Sequence, residues 1–336
     1  MKKIFFTITL LFAVISANAQ TDLVLKTKDS LKVEQTILKD SLEMLQTKID
    51  ALQSQIDLVP EGWNTFGKIT LLINQSAFVN WQPGGDDSFA GNLDVNYDFN
   101  YKKNDWTFDN KFLASYGLTR TEDDGVRKSN DRIELNSILG KDMKKDWKYS
   151  FFMNFKTQFT DGYDYNDDFN GDNEEYRVAG LFKPAYWSFG PGFYWKKSDN
   201  LNVNIAPLTS KLTFISDEIF TINDDDESNV FYESSNDVET FGVAPGDSVL
   251  YEFGLNIRTY YKFDLMKNIS MENIFSIYSN YLDKPQNIDI DYTMNLVLKI
   301  NGVFSTNFTV QTIYDDNAYS GFQIREVFGL GLNANF

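Results

Sequence analysis

The residue types that this chain lacks limit the chemistry it can perform. It contains no histidine, the side chain that most often serves as general base near neutral pH. Histidine-dependent hydrolysis and acyl transfer are therefore excluded, while a carboxylate pair or a lysine-activated serine remains chemically open. We predict no enzymatic activity, no catalytic residue and no cofactor. The absence of cysteine also excludes disulfides and lipid attachment through an N-terminal cysteine.

One acidic segment has the start of a metal-binding pattern. Residues 160–175 contain seven acids and no base, and oxygen-bearing side chains alternate before a glycine at Asn166, Asp168 and Asn170. An EF-hand calcium loop begins this way, but its twelfth position needs a bidentate glutamate and here holds Arg177. The EF-hand pattern therefore fails. Two interpretations stay open, a solvated acidic loop, which we favour, and a Ca²⁺ site of another geometry.

A glycine turn beside a tryptophan, residues 80–85, is a second candidate binding feature. Trp81 precedes Pro83, Gly84 and Gly85. An exposed indole can stack on a sugar ring. The favoured interpretation is an aromatic anchor at a membrane rim, followed by a hairpin turn.

Charged residues at alternating positions predict a polar interior. Where every second residue is apolar, the intervening positions carry eight acids: Asp94, Asp98, Asp109, Glu134, Glu252, Glu272, Asp289 and Asp291. The same inward set holds eight bases: Lys111, Arg132, Lys148, Lys156, Arg258, Lys262, Lys299 and Arg325. Burying an unpaired charge is costly, so these side chains either pair, which gives a plugged barrel, or stay hydrated, which gives a small polar pore. The sequence leaves both possibilities open.

The alternation of apolar residues defines the structural elements. From Trp63 onward the apolar period is two, and it is clearest in the segment Leu93–Tyr101. Only a strand sorts such residues onto one lipid-facing and one wet face. Most runs are ten to fifteen residues long, which exceeds the usual strand of a soluble sheet and suffices for a tilted transmembrane strand.

Twelve such runs predict an all-β fold, an antiparallel transmembrane β-barrel over residues 61–336. An even number is typical of bacterial single-chain barrels. Pro184, Pro207 and the segment 190–192 interrupt the alternation, which predicts a bulge or kink between residues 176 and 215. The runs are 66–80, 90–101, 106–118, 131–140, 147–159, 176–195, 201–214, 249–263, 269–281, 288–300, 303–314 and 321–336.

Connections between the runs alternate in length. Short turns lie near 102–105, 141–146, 196–200, 264–268 and 301–302. The opposite connections are mostly longer and lie near 81–89, 119–130, 160–175, 215–248, 282–287 and 315–320. In outer-membrane barrels the short turns face the periplasm. We therefore expect both termini in the periplasm and the acidic segments 160–175 and 215–248 outside the cell.

The N-terminal region differs from the barrel. Residues 1–19 contain two lysines, an apolar run and small residues before Gln20, which predicts a cleaved secretory signal peptide. Residues 20–60 hold neither aromatic residues nor glycine, and an apolar seam runs through them at spacings of three and four. We predict a periplasmic helix there. It forms either a parallel coiled coil, which gives self-association or a periplasmic partner through residues 31–59, or a single amphipathic helix against the barrel.

The last strand and the composition favour an outer-membrane setting. Aromatic residues make up 16% of the chain although the mean hydropathy is −0.36, a combination that a lipid-facing aromatic surface and a polar lumen produce. The run 321–336 ends in Phe336 and resembles the signal that barrel-assembly machinery reads. We predict that machinery, outer-membrane lipid and lipopolysaccharide as partners. The net charge of −17 argues against nucleic acid.

Several short motifs resemble one family. They lie between residues 62 and 215 and are Gly62-Trp63, Asn74–Trp81 with Gly84, Gly85 and Ser88, Thr157–Phe159 with Asp161-Gly162, Pro184–Tyr186 and Pro207–Lys211. This pattern resembles a Bacteroidota family catalogued as domain of unknown function 3078. The resemblance implies an outer-membrane setting and implies no activity, because the family has none assigned.

Two functions of different classes follow from these features. The first is a structural or interaction role at the cell envelope, in which a closed barrel carries a periplasmic helix and presents acidic loops. The second is a narrow polar channel or a transporter for a specific solute. The heptad pattern and the acidic loops favour the first, because a simple pore needs neither.

Overall fold

The structure is a computed structural model that describes residues 28–57, 61–76, 88–121, 125–164, 176–223, 231–315, 317 and 319–336. The chain divides into two units, Met1–Pro60 and Glu61–Phe336. Three predicted features lie outside the described residues: the signal peptide 1–19, the glycine turn 80–85 and the calcium-like pattern beginning at Asn166.

The described residues of the first unit form one helix, α1, at Lys28–Asp57. Its apolar seam is open to solvent, because Leu38, Leu42, Leu45, Ile49 and Leu52 are between 51% and 68% exposed. None of the helices in the described part of the chain is long and apolar enough to cross a membrane. The coiled coil remains a prediction.

The second unit consists of strands. Eleven to twenty residues form each of the long ones, which are β1 Gly62–Ser76, β2 Ser88–Lys103, β3 Trp106–Thr121, β4 Gly125–Lys144, β5 Trp147–Thr157, β8 Ala185–Ser198, β9 Leu201–Phe214, β12 Val249–Met266, β13 Ile269–Asn280, β14 Ile288–Lys299, β15 Phe304–Asp315 and β16 Tyr319–Asn335. The short ones are β6 Gly162–Asp164, β7 Tyr176–Ala179, β10 Phe220–Asn223 and β11 Phe231–Ser234.

The twelve long strands close into one antiparallel barrel. Each long strand pairs with its nearest long neighbours along the chain, and β1 pairs with β16 to close the circle. The short strands form two separate hairpins, β6 with β7 and β10 with β11, within connections. The predicted twelve-stranded barrel is therefore confirmed for the described residues.

The predicted run 176–195 is wrong in its first part. Tyr176–Ala179 belongs to the small β6–β7 sheet, and the barrel strand begins only at Ala185. A backbone bridge between Gly180 and Lys183 turns the chain between them, and Pro184 has no N–H to extend a ladder. The predicted connection 119–130 is also too long, because β3 continues to Thr121 and β4 starts at Gly125.

The predicted irregularity near Pro207 is a β-bulge in β9. Between Ala206 and Thr209, β9 has one more residue than the facing segment of β12, where Asn256 pairs with Ala206 and Gly254 with Thr209. The same extra residue appears against β8. The hydroxyl of Thr209 donates to the carbonyl of Ala206 at 2.9 Å. A bulge of one residue reverses which positions of the strand face inward.

Among the described residues, the closing seam is shorter than the other ladders of the barrel. β1 pairs with β16 over Lys68–Ile73 and with β2 over Gly62–Ser76. Phe336 extends the seam, because its N–H donates to the carbonyl of Gly67 at 2.9 Å and its carbonyl accepts from the Gly67 N–H at 2.8 Å. The Phe336 ring lies over Gly67, where a Cβ would be 2.3 Å from the ring. The ring also stacks on Tyr97 with centroids 6.0 Å apart.

We predict that Gly67→Ala destabilises the barrel by about 1–3 kcal/mol, because the new methyl group displaces the Phe336 ring from its place on Tyr97. The free energy of unfolding, measured by urea titration in detergent micelles, tests this. Gly302→Ala is the matched control, since a Cβ at Gly302 has open space around it. Equal stability of the two variants would contradict the packing role of Phe336.

Candidate functional site

The barrel is polar inside and apolar outside, the reverse of a soluble protein. Its buried side chains include Asn110, Glu134, Asn204 and Glu252, whereas large apolar side chains such as Phe151 are exposed. Water does not favour a continuous apolar surface of this kind, but the hydrocarbon of a bilayer does. The outer face is therefore suited to lipid, and the functional candidates are in the lumen and at its ends.

The two ends of the barrel differ. One end, here called the turn end, carries the short connections at 104–105, 145–146, 199–200, 267–268 and 300–303. The other end, called the loop end, carries the connections 77–87, 122–124, 158–184, 215–248, 281–287 and 316–318. The predicted alternation of short and mostly longer connections is therefore present in the strand bounds.

A carboxylate at the middle of the lumen is fully buried. Glu134 on β4 is 0% exposed and forms a short ion pair with Arg132 on the same strand. Its second oxygen accepts from the amides of Asn136 at 2.7 Å and Asn154 at 3.0 Å. Arg258 lies 3.7 Å from that oxygen and belongs to β12, across the lumen. Buried charges need such partners, because the free-energy cost of removing a charge from water is not recovered unless the charge is paired.

A second ion pair crosses the lumen at this level. The ammonium of Lys156 on β5 lies 2.6 Å from Asp291 on β14, and the amide of Gln311 donates to the other oxygen of Asp291 at 3.2 Å. In the barrel, four strands lie between β5 and β14. This ion pair therefore spans the lumen and does not join adjacent strands. Arg132, Glu134, Lys156, Arg258 and Asp291 together form what we call the central charge layer.

Two cavities border the central charge layer. The loop-end cavity has a volume of about 470 Å³, and its lining includes Lys156, Arg258 and Asp291. The turn-end cavity has about 300 Å³, and its lining includes Arg132. No lining residue is shared between them. The central charges are paired, as in the plugged alternative.

The turn-end cavity is lined by a second polar network. Asp94 accepts from Asn92 at 2.8 Å and closely from the hydroxyl of Ser115. Asn130 continues this network and accepts from Arg325 of β16. Further along the cavity, the hydroxyl of Tyr260 donates to Glu272 at 2.8 Å. These contacts hold in place polar side chains that line the turn-end cavity.

Most of the sixteen predicted lumen charges take part in these networks. Asp98, Lys111 and Lys262 line the turn-end cavity, Asp289 lines the loop-end cavity, and Asp109 pairs with Lys196 at 2.9 Å. Two bases lie instead at the turn end: Lys148 pairs with the half-exposed Asp142, and Lys299 is exposed.

Four further charged residues of the lumen were not predicted: Lys68, Lys196, Lys211 and Asp315. For Lys211 the cause is the bulge in β9. Asn204 before the bulge and Lys211 after it are both buried although one number is even and the other odd. Strict alternation from Asn204 would place the Lys211 side chain on the lipid-facing side of the strand. The signal that was available is Pro207, which marks where the alternation resets.

The loop end carries a folded cap, which we define as residues 160–164, 176–184, 215–223 and 231–248. Tyr176 stacks on Tyr232 with centroids 3.9 Å apart and contacts Phe220 edge-on, so the two hairpins join. A small apolar core of Ile215, Ile219 and Val243 packs with Phe241 and Leu250. Phe241 also lines the loop-end cavity. The described parts of the predicted acidic loops are therefore ordered structure over the barrel mouth.

Ion pairs hold the cap segments together. Asp217 lies 3.0 Å from Arg177 and 3.3 Å from Lys183, and Asp161 lies within 3.8 Å of both bases. The backbone N–H of Glu218 and the ammonium of Lys183 lower the pKa of the Asp217 carboxyl below its ordinary value. Within the described ranges, no group of three or more acidic side chains is arranged to hold a metal ion.

We predict that Glu134→Gln lowers the free energy of unfolding by about 3–5 kcal/mol, because Arg132 and Arg258 lose their buried counter-charge. Urea unfolding in micelles measures this. The control Asp142→Asn removes an exposed carboxylate of an ion pair and should cost less than about 1 kcal/mol. A Glu134→Gln barrel as stable as the control would show that the central charge layer is hydrated.

We predict that Asp217→Asn loosens the cap without opening the barrel, since Arg177 and Lys183 lose a shared partner. Limited proteolysis should cut within 215–248 several-fold faster, while the heat-dependent gel mobility of the barrel stays unchanged. Asp237→Asn, an exposed cap residue, is the control. If both variants are cut at the wild-type rate, the ion pairs do not hold the cap.

One family profile matches part of the chain. The profile of a family described as "Protein of unknown function (DUF3078)" matches residues 73–163, inside the stretch where the motifs resemble that family. No curated protein matches the chain.

Solved structures of other barrels are similar to this chain at low identity. The translocator domain of the autotransporter NalP from Neisseria meningitidis has 9% identity and a TM-score of 0.33, with 88% of this chain and 96% of that chain covered. The COG4313 outer membrane channel from Pseudomonas putida F1 has 13% identity and a TM-score of 0.36, with 82% and 96% covered. The beta domain of the Bordetella autotransporter BrkA has 8% identity and a TM-score of 0.32, with 81% and 99% covered. The barrel of this chain is established by its own strand pairing.

Proposed function

We propose that this protein is a closed barrel of the bacterial outer membrane with a structural or interaction role at the cell envelope. The observation that carries the proposal is the central charge layer, in which Glu134 is 0% exposed and is bound by groups from three strands. A solute or ion can pass only if these pairs separate, and separating a buried pair leaves charges without partners. The resting barrel is therefore non-conducting.

The outer-membrane location is supported by the closed sheet and its apolar outer face. Closure pairs the backbone of every strand, which hydrocarbon requires. The loop end then faces outward and the turn end faces the periplasm, with lipid and lipopolysaccharide around the barrel. The motifs favour a Bacteroidota cell as the source. The strand that ends in Phe336 is the segment we propose for recognition by barrel-assembly machinery.

The interaction role is supported by two surfaces. The first is the exposed apolar seam of α1, which favours self-association or a periplasmic partner through residues 31–59. The second is the cap, whose hairpins form an ordered outward surface. Neither surface is needed for a pore. We propose no enzymatic activity and no nucleic-acid partner.

A narrow channel for a polar solute is the second candidate, and the two cavities favour it. Both are lined by lumen residues, and each is bordered by members of the central charge layer. A rearrangement of Arg258 and Lys156 would join them. Such a channel would open only when that layer moves.

Planar-bilayer recording distinguishes the two functions. Wild-type protein should give no conductance steps, whereas the double variant Lys156→Ser with Arg258→Ser should give small steps, because two long side chains leave the layer. The variant Lys197→Ser with Lys267→Ser, two bases outside the lumen, is the control and should stay silent. Regular steps from wild-type protein would overturn the closed barrel and establish the channel.

A further inference from the structure

The barrel wall carries a recess near the turn end. Its volume is about 610 Å³, and its lining includes Tyr101, Lys103, Asn104, Trp106, Phe108 and Leu139. These residues come from β2, β3, β4 and the turn between β2 and β3. Neither lumen cavity shares a lining residue with the recess. The recess is therefore distinct from the cavities of the lumen.

An apolar row of side chains forms the part of the recess farther from the turn end. Tyr101 of β2 pairs with Phe108 of β3, which pairs with Leu139 of β4. Leu139 is 40% exposed, so the row lies on the outer face of the barrel. Trp63 of β1 extends the row, because its ring centre lies 5.2 Å from that of Tyr101. A lipid-facing row of this kind suits an acyl chain.

A basic row lies beside the apolar row, toward the turn end. Lys103 pairs with Trp106, and Trp106 pairs with Lys141, so the tryptophan lies between two lysines on the same face. Neighbouring strands are about 4.8 Å apart, which places the two lysine backbones about 10 Å apart. The Lys141 ammonium lies 5.3 Å from the Trp106 ring centre, a cation–π contact. Both long side chains can therefore reach one anionic group beside the indole.

The protein does not neutralise the lysines around the recess. The turns 102–105 and 141–146 contain five lysines and three acids. Two of those acids pair with lysines from outside these turns, Asp142 with Lys148 and Asp146 with Lys197. Among the described residues, none of the five turn lysines forms an ion pair. They outnumber the remaining acid of the turns and Glu61, whose carboxylate accepts from a backbone N–H of this turn at 2.9 Å. This edge of the barrel keeps a positive charge.

The position of the recess indicates which kind of anion it suits. Tryptophan and tyrosine side chains lie at the headgroup level of a membrane, and lysines at that level attract anionic headgroups. A zwitterionic headgroup carries a cation of its own, which the two lysines repel. Under the proposed function the turn end faces the periplasmic leaflet, whose lipids are glycerophospholipids.

We propose that this recess binds one anionic glycerophospholipid of the periplasmic leaflet. The ammonium groups of Lys103 and Lys141 donate to the lipid phosphate, and an acyl chain lies along the apolar row. The proposal rests on the outer-membrane location within the proposed function. It does not depend on whether the lumen conducts, because the recess is on the outer face.

Native mass spectrometry of the full chain, released from detergent micelles, tests the proposal. The probes are phosphatidylglycerol and the zwitterionic phosphatidylcholine with the same acyl chains. We expect one phosphatidylglycerol molecule to be retained about tenfold more tightly than phosphatidylcholine. Lys103→Gln with Lys141→Gln should abolish this preference, because glutamine removes the charge and keeps much of the side-chain length.

A matched control separates this site from general attraction to the turn end. Lys197→Gln with Lys267→Gln removes the same charge from that end at positions outside the recess and should keep the preference. Heat-dependent gel mobility confirms that each variant is folded, and Lys141→Gln alone replaces the double variant if that does not fold.

Three outcomes would overturn the proposal: equal retention of the two lipids by wild-type protein, equal loss of the preference in both double variants, or tighter retention of lipopolysaccharide than of phosphatidylglycerol. Failure of the closed barrel is a separate result. Conductance steps from wild-type protein would overturn the closed barrel and leave this lipid site in place.

Discussion

The requirement that hydrocarbon places on the backbone determines the rest of this structure. Each peptide group in the bilayer must be paired within the protein, and a closed antiparallel sheet satisfies this condition. Closure then directs every second side chain into the lumen. The polar residues there can be kept only if they bind one another. The central charge layer follows from this constraint, because Glu134 is fully buried and must have its partners within the lumen.

The sequence is sufficient to predict the barrel but not the pairing of the side chains in its lumen. Alternation in segments such as Leu93–Tyr101 depends only on neighbouring residues, so the strand count and most strand bounds can be predicted. Pairing between Lys156 and Asp291 depends on the distance across the barrel, which no local pattern contains. The lumen position of Lys211 could not be predicted for a related reason. The bulge at Ala206–Thr209 changes which residues of β9 face inward within one strand.

The cap shows a similar limit. Acidic composition in 160–175 and 215–248 favours solvated loops, yet Ile215, Ile219 and Val243 form a small core among those acids. Three apolar residues at irregular spacing give no periodic signal. The stacking of Tyr176 on Tyr232 joins hairpins that are far apart in sequence, so only the folded chain reveals it. Phe241 of this cap also lines the loop-end cavity.

The short seam between β1 and β16 has a consequence for how the barrel enters and leaves its membrane. Among the described residues, the ladder there covers Lys68–Ile73 and then Phe336, so this joint has fewer backbone pairs than the other joints of the cylinder. Its two strands are also the first and last of the barrel, so insertion ends when they meet. Forced extraction from the bilayer would then reverse that step, with the cylinder parting beside the terminal phenylalanine before any hairpin of the barrel separates.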